Sequence, residues 1–169
     1  IEGNADIHIE VENGRAKTTR FMVQDFRGFE KFMQGKRVEF APHLVSRICG
    51  LCCTAHQVAG FKAVEDALGV TPTDSVQKLR KVAVLGEWIR SHALSYFFLS
   101  SPDKVKGGGG IFDLMKHYPE AGEKAFALRK FGNRIVEIVG KRSVHPVAMG
   151  VCGFNQLPTT KDLTEINSI

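Results

Sequence analysis

Apolar and polar residues alternate along residues 5–24, as they do in β-strands with one covered face. The apolar positions of the first half are Ile7, Ile9 and Val11. Asn13-Gly14 follows them, a pair that tight hairpin turns prefer, and the chain returns over residues 16–23. The sequence therefore predicts a β-hairpin over residues 5–24.

Further along the chain, the apolar period changes from that of strands to that of helices. A short segment with aromatic residues at near-helical spacing lies within residues 26–40 and predicts a small helix that packs inward. Three longer amphipathic stripes follow, over residues 55–68, 74–100 and 119–140. The middle one, at about 1.5 Å per residue, would be about 40 Å long.

Helix boundaries are marked by local signals around the first long stripe. Thr54 is followed three positions later by Gln57, a capping-box pattern that predicts a helix start at Ala55. Gly69 is the expected stop. These elements together predict a mainly α fold with a long-helix bundle core and a small β-hairpin.

The expected organisation is a single domain over residues 1–169. It comprises the hairpin at 5–24, a metal-ligand region at 25–56, a helical bundle at 55–140 and a loop-rich tail at 141–169.

Composition narrows the functional class. The 169 residues carry a net charge of +5 that is dispersed along the chain, which gives no indication of nucleic-acid binding. No apolar run approaches the roughly 20 residues that span a bilayer, and no signal peptide is visible. Three of the four cysteines are crowded together, a poor disulfide framework that fits a reducing compartment. A soluble, cytoplasmic protein is expected.

The crowded cysteines form the main candidate for chemistry. Cys49 and Cys52 have the spacing of a chelating pair, and Gly50 between them permits a tight bend. Arg47 and the nearby helix start would favour the thiolate form. The spacing favours metal binding over a redox dithiol or inert thiols. A structural zinc site would need four closed ligands, which His56 with either His43 or Cys152 would help to complete.

The pattern Arg-x-Cys-Gly-x-Cys-x-x-x-His resembles the N-terminal metal motif of the large subunit of nickel-iron hydrogenases. Four flanking blocks agree with that family in the right order. They are Ile1-Glu2-Gly3, Phe26-Arg27-Gly28-Phe29-Glu30, Ser91-His92-Ala93-Leu94 through Pro102-Asp103, and His145-Pro146. The likeness is greatest to the cytosolic branch that reduces viologen dyes or feeds heterodisulfide reductase.

This resemblance implies roles for individual residues. Cys49 would be a terminal nickel ligand and Cys52 a sulfur that bridges nickel and iron, with small diatomic ligands on the iron. Glu30 would bind Mg²⁺, although from the sequence alone it is an ion-pair partner of Arg27. Glu2 would relay protons, although by itself it is an exposed terminal carboxylate.

The resemblance also implies supporting residues and an activity. His56 would donate a hydrogen bond to a cysteine sulfur, and Arg47 would support the thiolates. The expected activity is reversible heterolytic oxidation of H₂. Electrons would leave through iron-sulfur clusters in a small partner subunit, from which they would pass to further acceptor subunits.

Three departures from the family pattern keep alternatives open. Asn4 stands where the family has histidine, Cys53 follows the second ligand, and the family's second Cys-x-x-Cys pair is absent from this sequence. The chain is therefore expected to be an N-terminal portion, with the second pair supplied elsewhere. The alternatives are a non-catalytic hydrogenase-like subunit of an electron-transfer complex and a zinc-binding module.

Overall fold

The computed structural model describes residues 3–25, 27–105 and 109–168. They form two compact units, one from the stretch Ile1–Gln34 and one from the stretch Gly35–Ile169.

The first unit is built around an antiparallel hairpin of β1 (Ala5–Glu12) and β2 (Arg15–Val23). Asn13 and Gly14 have φ values of 53° and 75°, the left-handed conformations that a two-residue hairpin turn requires. The predicted hairpin is therefore confirmed. Its register shifts between Glu10 and Val11, which leaves a β-bulge on the returning strand.

A short helix, α1 (Phe29–Met33), completes the first unit. None of its residues is buried, and the Phe32 side chain is 55% exposed. The expectation that this segment packs inward is wrong, because five residues make little more than one turn and present no continuous apolar stripe.

The second unit is mainly helical. Its helices are α2 (Ala41–Val45), α3 (Cys53–Leu68), α4 (Asp74–Ala93), α5 (Ile111–His117), α6 (Pro119–Gly140) and α7 (Thr160–Ser168). A two-stranded antiparallel sheet joins β3 (Met149–Gly150) to β4 (Gly153–Phe154). Short 3₁₀ turns cover Val38–Phe40, Ser46–Ile48 and Pro102–Lys104.

Glycines allow α4 and α6 to form the most extensive helix pair of this unit. A Cβ on Gly132 would lie 2.5 Å from the Gly86 carbonyl oxygen, and one on Gly86 would lie 2.7 Å from Ile135 Cγ2. The two backbones therefore approach closely at this point. The hydrophobic core nearby consists of Val58, Phe61, Ala83, Val139 and Met149.

Most of the long helices agree with their predictions. Gly69 ends α3 with φ 67°, the left-handed stop that was expected. The long middle helix runs as α4 and then continues as a π-helix over Leu94–Ser100. A mainly α fold with a small hairpin is confirmed.

The tail differs from the loop-rich segment expected at 141–169, since it contains the β3–β4 sheet and α7. The Thr159 N–H donates to Asp162 Oδ2 at 2.8 Å, and the Asp162 N–H donates to Thr159 Oγ1 at 3.2 Å. This reciprocal capping box stabilises the start of α7. Within the described ranges, no helix is both long enough and apolar enough to cross a bilayer.

Candidate metal centre

The cysteine motif forms a short loop between the Ser46–Ile48 turn and the start of α3. The Cys52 backbone N–H donates to Cys49 Sγ at 3.1 Å, and both side chains are half-buried. Such a contact folds the chelating pair into a compact turn. A backbone donor on sulfur also suits a metal-bound thiolate, which carries negative charge.

The start of α3 corrects the predicted capping box. The helix begins at Cys53 rather than Ala55, and its N-cap residue, Cys52, makes no side-chain capping bond. Thr54 Oγ1 is buried with no hydrogen-bond partner among the described residues. The Glu87 carboxylate on α4 caps the helix instead, accepting the Thr54 N–H at 2.7 Å and the Ala55 N–H at 2.8 Å.

Gln57, the other half of the predicted box, connects the start of α3 to other segments. Its Nε2 lies 3.0 Å from His43 Nδ1 on α2 and donates to the Pro146 carbonyl oxygen at 2.8 Å. Gln57 is fully buried, and both bonds use its Nε2, while its Oε1 has no hydrogen-bond partner among the described residues. The His-Pro element noted in the sequence is thereby held against the start of the helix.

Arg90, one turn after Glu87 on α4, is the second buried charge at the loop. Its Nη2 donates to Glu87 Oε2 at 3.1 Å, to the Leu51 carbonyl oxygen at 3.3 Å and to Cys53 Sγ at 3.6 Å. Its Nη1 donates to Asn133 Oδ1 and to the Ser143 carbonyl oxygen.

Cys53 is fully buried, and its sulfur accepts two hydrogen bonds. One comes from Arg90, and the other comes from the His145 backbone N–H at 3.1 Å. His145 has a φ of 54°, an unusual conformation for a residue with a side chain. The Cys53 sulfur therefore links the start of α3 to the 143–146 segment.

Two histidines near the loop have lowered pKa values. Burial lowers the pKa of His43, and the positive charge of Arg47 lowers it further. Burial also lowers the pKa of His145, followed by the charge of Arg47, and a hydrogen bond with the Ser46 backbone opposes these effects in part. Both imidazoles are therefore biased toward the neutral form.

The predicted site residues fall in different parts of the structure. Arg47 is exposed in the turn before Cys49, and His56 is half-buried on the first turn of α3. Glu30 lies in the first unit, where Arg27 Nη2 approaches its Oε1 at 3.4 Å and both side chains are largely exposed. Glu2 lies outside the described residues.

The donors present suit half of a nickel-iron centre. Cys49 and Cys52 offer two soft sulfur ligands from one loop. Over residues 3–25, 27–105 and 109–168, no group of three or more His, Cys, Asp or Glu side chains is arranged to hold a metal ion.

Sequence reasoning missed Glu87 and Arg90. Their signal is slight, since a Glu and an Arg three positions apart are common on exposed helix faces. Glu87 lies 33 positions after Thr54 in the sequence, and only the fold shows that its carboxylate accepts the Thr54 N–H.

The chain resembles known proteins along most of its length. Residues 27–108 match the protein family described as nickel-dependent hydrogenase. A chain of the vhu F420-non-reducing hydrogenase from Methanocaldococcus jannaschii is 40% identical over 154 residues, covering 87% of this chain and 37% of the relative. The alpha subunit of sulfhydrogenase 2 from Pyrococcus furiosus is 36% identical over 167 residues, covering 98% of this chain and 40% of the relative.

Solved structures show the same likeness. A NAD⁺-reducing [NiFe]-hydrogenase in the H₂-reduced state superposes with a TM-score of 0.84 at 26% identity, covering 99% of this chain and 39% of that one. The chain thus spans well under half the length of the proteins that it matches. Sequence and fold agree, and the chain belongs to the nickel-dependent hydrogenase family.

Proposed function

We propose that this chain is the N-terminal part of the catalytic large subunit of a nickel-iron hydrogenase, which oxidises H₂ reversibly. The observation that carries the proposal is the compact Cys49–Cys52 turn, with its N–H to sulfur contact of 3.1 Å, in a chain of this family. A second Cys-x-x-Cys pair from the rest of the protein would complete a four-thiolate site.

The two cysteines have distinct roles in this proposal. Cys49 would bind nickel alone, and Cys52 would bridge nickel and iron, the latter carrying small diatomic ligands. A nickel-iron centre bound there would supply the heterolytic cleavage of H₂. A cysteine sulfur of the site would receive the proton, and His56 would donate a hydrogen bond to a ligand sulfur. Arg47 would offset the negative charge of the thiolates.

Two carboxylates extend the proposal beyond the loop. Glu2 would carry the proton between the cysteine sulfur and the exterior. Glu30 would bind Mg²⁺, a cation that prefers carboxylate oxygens. Its partner Arg27 is held weakly, at 3.4 Å between exposed groups, so the carboxylate could exchange that partner for a cation at little cost.

The partner would be an iron-sulfur small subunit that receives the electrons, with further acceptor subunits beyond it. The Methanocaldococcus jannaschii relative is named as an F420-non-reducing hydrogenase, which supports the cytosolic branch that reduces viologen dyes or feeds heterodisulfide reductase. A cytoplasmic location follows from that branch.

The test uses the full-length chain purified with its native subunits. Nickel and iron are expected in equal amounts, together with H₂-dependent reduction of a viologen dye. Cys52→Ser and Cys49→Ser should abolish dye reduction, because oxygen replaces a soft sulfur ligand. Cys152→Ser is the matched control, since Cys152 lies beside Glu65 at the other end of α3, and it should retain activity.

Three results would contradict the proposal. Zinc as the sole metal would identify a zinc-binding module. A complex that folds without metal would identify a non-catalytic relative. Equal loss of activity in the Cys152 and Cys52 variants would remove the special role of the loop.

A further inference from the structure

The loop that holds the two ligand cysteines depends on another helix for its shape. The N-cap residue of α3 makes no side-chain capping bond, and the two oxygens of Glu87 accept two N–H groups of its first turn, those of Thr54 and Ala55. This carboxylate fixes the chain immediately after Cys52. Because Glu87 is 1% exposed, water cannot replace it in that position.

Arg90 fixes the chain on both sides of Cys52. It donates to the Leu51 carbonyl oxygen before that residue and to Cys53 Sγ after it. Its bond to Glu87 joins the two contacts into one unit, which we call the Glu87–Arg90 clamp. The exposed surface of Arg90 is only 4%, so the guanidinium bonds are made inside the protein.

The clamp is attached to a rigid part of the fold. A Cβ on Gly132 would lie 2.7 Å from the Arg90 backbone nitrogen, so α4 and α6 are in direct backbone contact there. Arg90 also donates to Asn133 Oδ1 on α6 at 3.1 Å. The guanidinium is therefore bonded to α6 on one side and to the cysteine loop on the other.

We propose that Glu87 and Arg90 are positioning residues for the Cys49–Cys52 ligand pair. The clamp sets the backbone of residues 51–55, and the Cys52 N–H in turn sets Cys49 Sγ. The protein itself thus sets the position of Cys49 Sγ relative to the Cys52 backbone. The role rests on the proposed function, because it assigns a purpose to a pair taken to bind nickel and iron.

The size of the effect follows from other metal sites. Removing a group that orients a metal ligand commonly lowers metal affinity or activity 10–100-fold. Arg90→Gln removes the charge and most of the hydrogen bonds, and we expect nickel retention to fall by about that factor. Arg90→Lys keeps the charge but lacks the fork of five donors, so an intermediate loss is expected.

The fold offers a matched control on the same helix. Arg80 is also almost fully buried, and it pairs with Glu65 at 2.6 Å, ten positions before Arg90. None of its described hydrogen bonds reaches residues 49–55. Arg80→Gln should therefore destabilise the protein without altering the cysteine loop.

The experiment compares wild type, Arg90→Gln, Arg90→Lys and Arg80→Gln in the full-length chain with its native subunits. Amide hydrogen exchange in a peptide containing Thr54 and Ala55 reports the loop, and the nickel EPR spectrum reports the ligand geometry. Both Arg90 variants should speed exchange at these amides and shift the EPR g-values. Arg80→Gln should change neither, although it lowers the unfolding midpoint.

The outcomes separate this inference from the proposed function. Loss of stability in the Arg90 variants, with exchange and EPR spectrum like those of Arg80→Gln, would overturn the clamp. Wild-type protein without nickel would overturn the proposed function and the clamp's purpose together. If Arg90→Gln does not fold, Arg90→Lys and Glu87→Gln decide the question, since each keeps part of the hydrogen bonding.

Discussion

Two buried ion pairs on α4 have similar chemistry and different surroundings. The guanidinium of Arg80 meets Glu65 through two bonds of 2.9 and 2.6 Å, while Arg90 meets Glu87 through one bond of 3.1 Å. The Arg80 pair is the better-formed fork. The Arg90 pair has fewer bonds between its two charges, because Glu87 also accepts a backbone N–H of the cysteine loop and Arg90 also donates to a backbone carbonyl there.

The difference shows what each pair does. Arg80 joins α3 to α4, and its Nη2 also donates to the Gly150 carbonyl oxygen, while Glu65 accepts the Cys152 N–H. That pair therefore ties the β3–β4 sheet to the helices. Buried ion pairs are weak sources of net stability, but each resists removal of one member. The two pairs thus specify two separate contacts, one to the tail and one to the loop.

The largest expected effect is the removal of one member of either pair. Glu87→Ala and Glu65→Ala should each cost about 3–5 kcal/mol, because a buried arginine is left without its partner. Chemical denaturation of the full-length chain measures this cost. Amide hydrogen exchange distinguishes the two variants. Glu87→Ala should speed exchange at the Thr54 amide, and Glu65→Ala should speed exchange at the Cys152 amide. The same exchange pattern in both variants would contradict the division of roles.

A second change acts on the support behind Arg90. Gly132→Ala places a Cβ 2.5 Å from the Gly86 carbonyl oxygen and should cost about 1–3 kcal/mol through overpacking. Exchange at residues 53–55 should also increase as Arg90 moves. Gly122→Ala is the control, because its Cβ would meet the flexible Met115 side chain, and its unfolding midpoint should change less.

Acid should weaken the Arg80 pair. Burial by itself raises the pKa of Glu65, but hydrogen bonds from Arg80 and the Cys152 N–H outweigh it, so the pKa lies below its ordinary 4.5. A lowered pKa gives stability that is present above pH 4.5 and lost as pH falls through the folded-state value. Urea unfolding from pH 7 to pH 3 should show this loss, and Glu65→Gln should flatten the curve.

The smallest effect is expected at an exposed ion pair whose two-bond geometry matches that of the buried Arg80 pair. Arg134 binds Glu165 on α7 through two bonds of 2.6 and 2.9 Å, as good a fork as that of Arg80, but both side chains are more than a third exposed. Glu165→Gln should shift the unfolding midpoint far less than Glu65→Gln, because water screens exposed charges. Equal shifts would show that fork geometry, rather than burial, sets the cost.

Local rules predicted the parts of this fold that local physics determines. The Asn13-Gly14 turn and the Gly69 stop follow from residues that tolerate positive φ. The long helix beginning at Asp74 follows from its apolar period. In each case, neighbouring residues contain nearly all the relevant information.

Capping shows the limits of local rules. The pattern Thr54 to Gln57 fits the capping-box rule, yet a carboxylate from another helix replaces it. The pattern Thr159 to Asp162 forms a true box and lies in a segment expected to be loop. A short motif shows which capping hydrogen bonds a helix start can form, while tertiary contacts decide which of them form.

Spacing and resemblance predict the proposed metal-binding pair, but they do not predict the residues proposed to position it. Cys49 and Cys52 stand in a recognisable motif, but nothing around Glu87 or Arg90 marks them as neighbours of that motif. Only folding α3 against α4 brings them together. The roles of Glu2 and Glu30 stay predictions.

The capping of α3 by Glu87 bears on transplanting this motif into another scaffold. A peptide copied from Arg47 to His56 would carry both sulfurs, but its Thr54 and Ala55 amides would lack the acceptor that lies more than 30 residues further on. A graft would have to bring α4, and a portion of α6 behind it, to reproduce the native turn. The smallest portable unit is therefore a set of packed helices rather than a decapeptide.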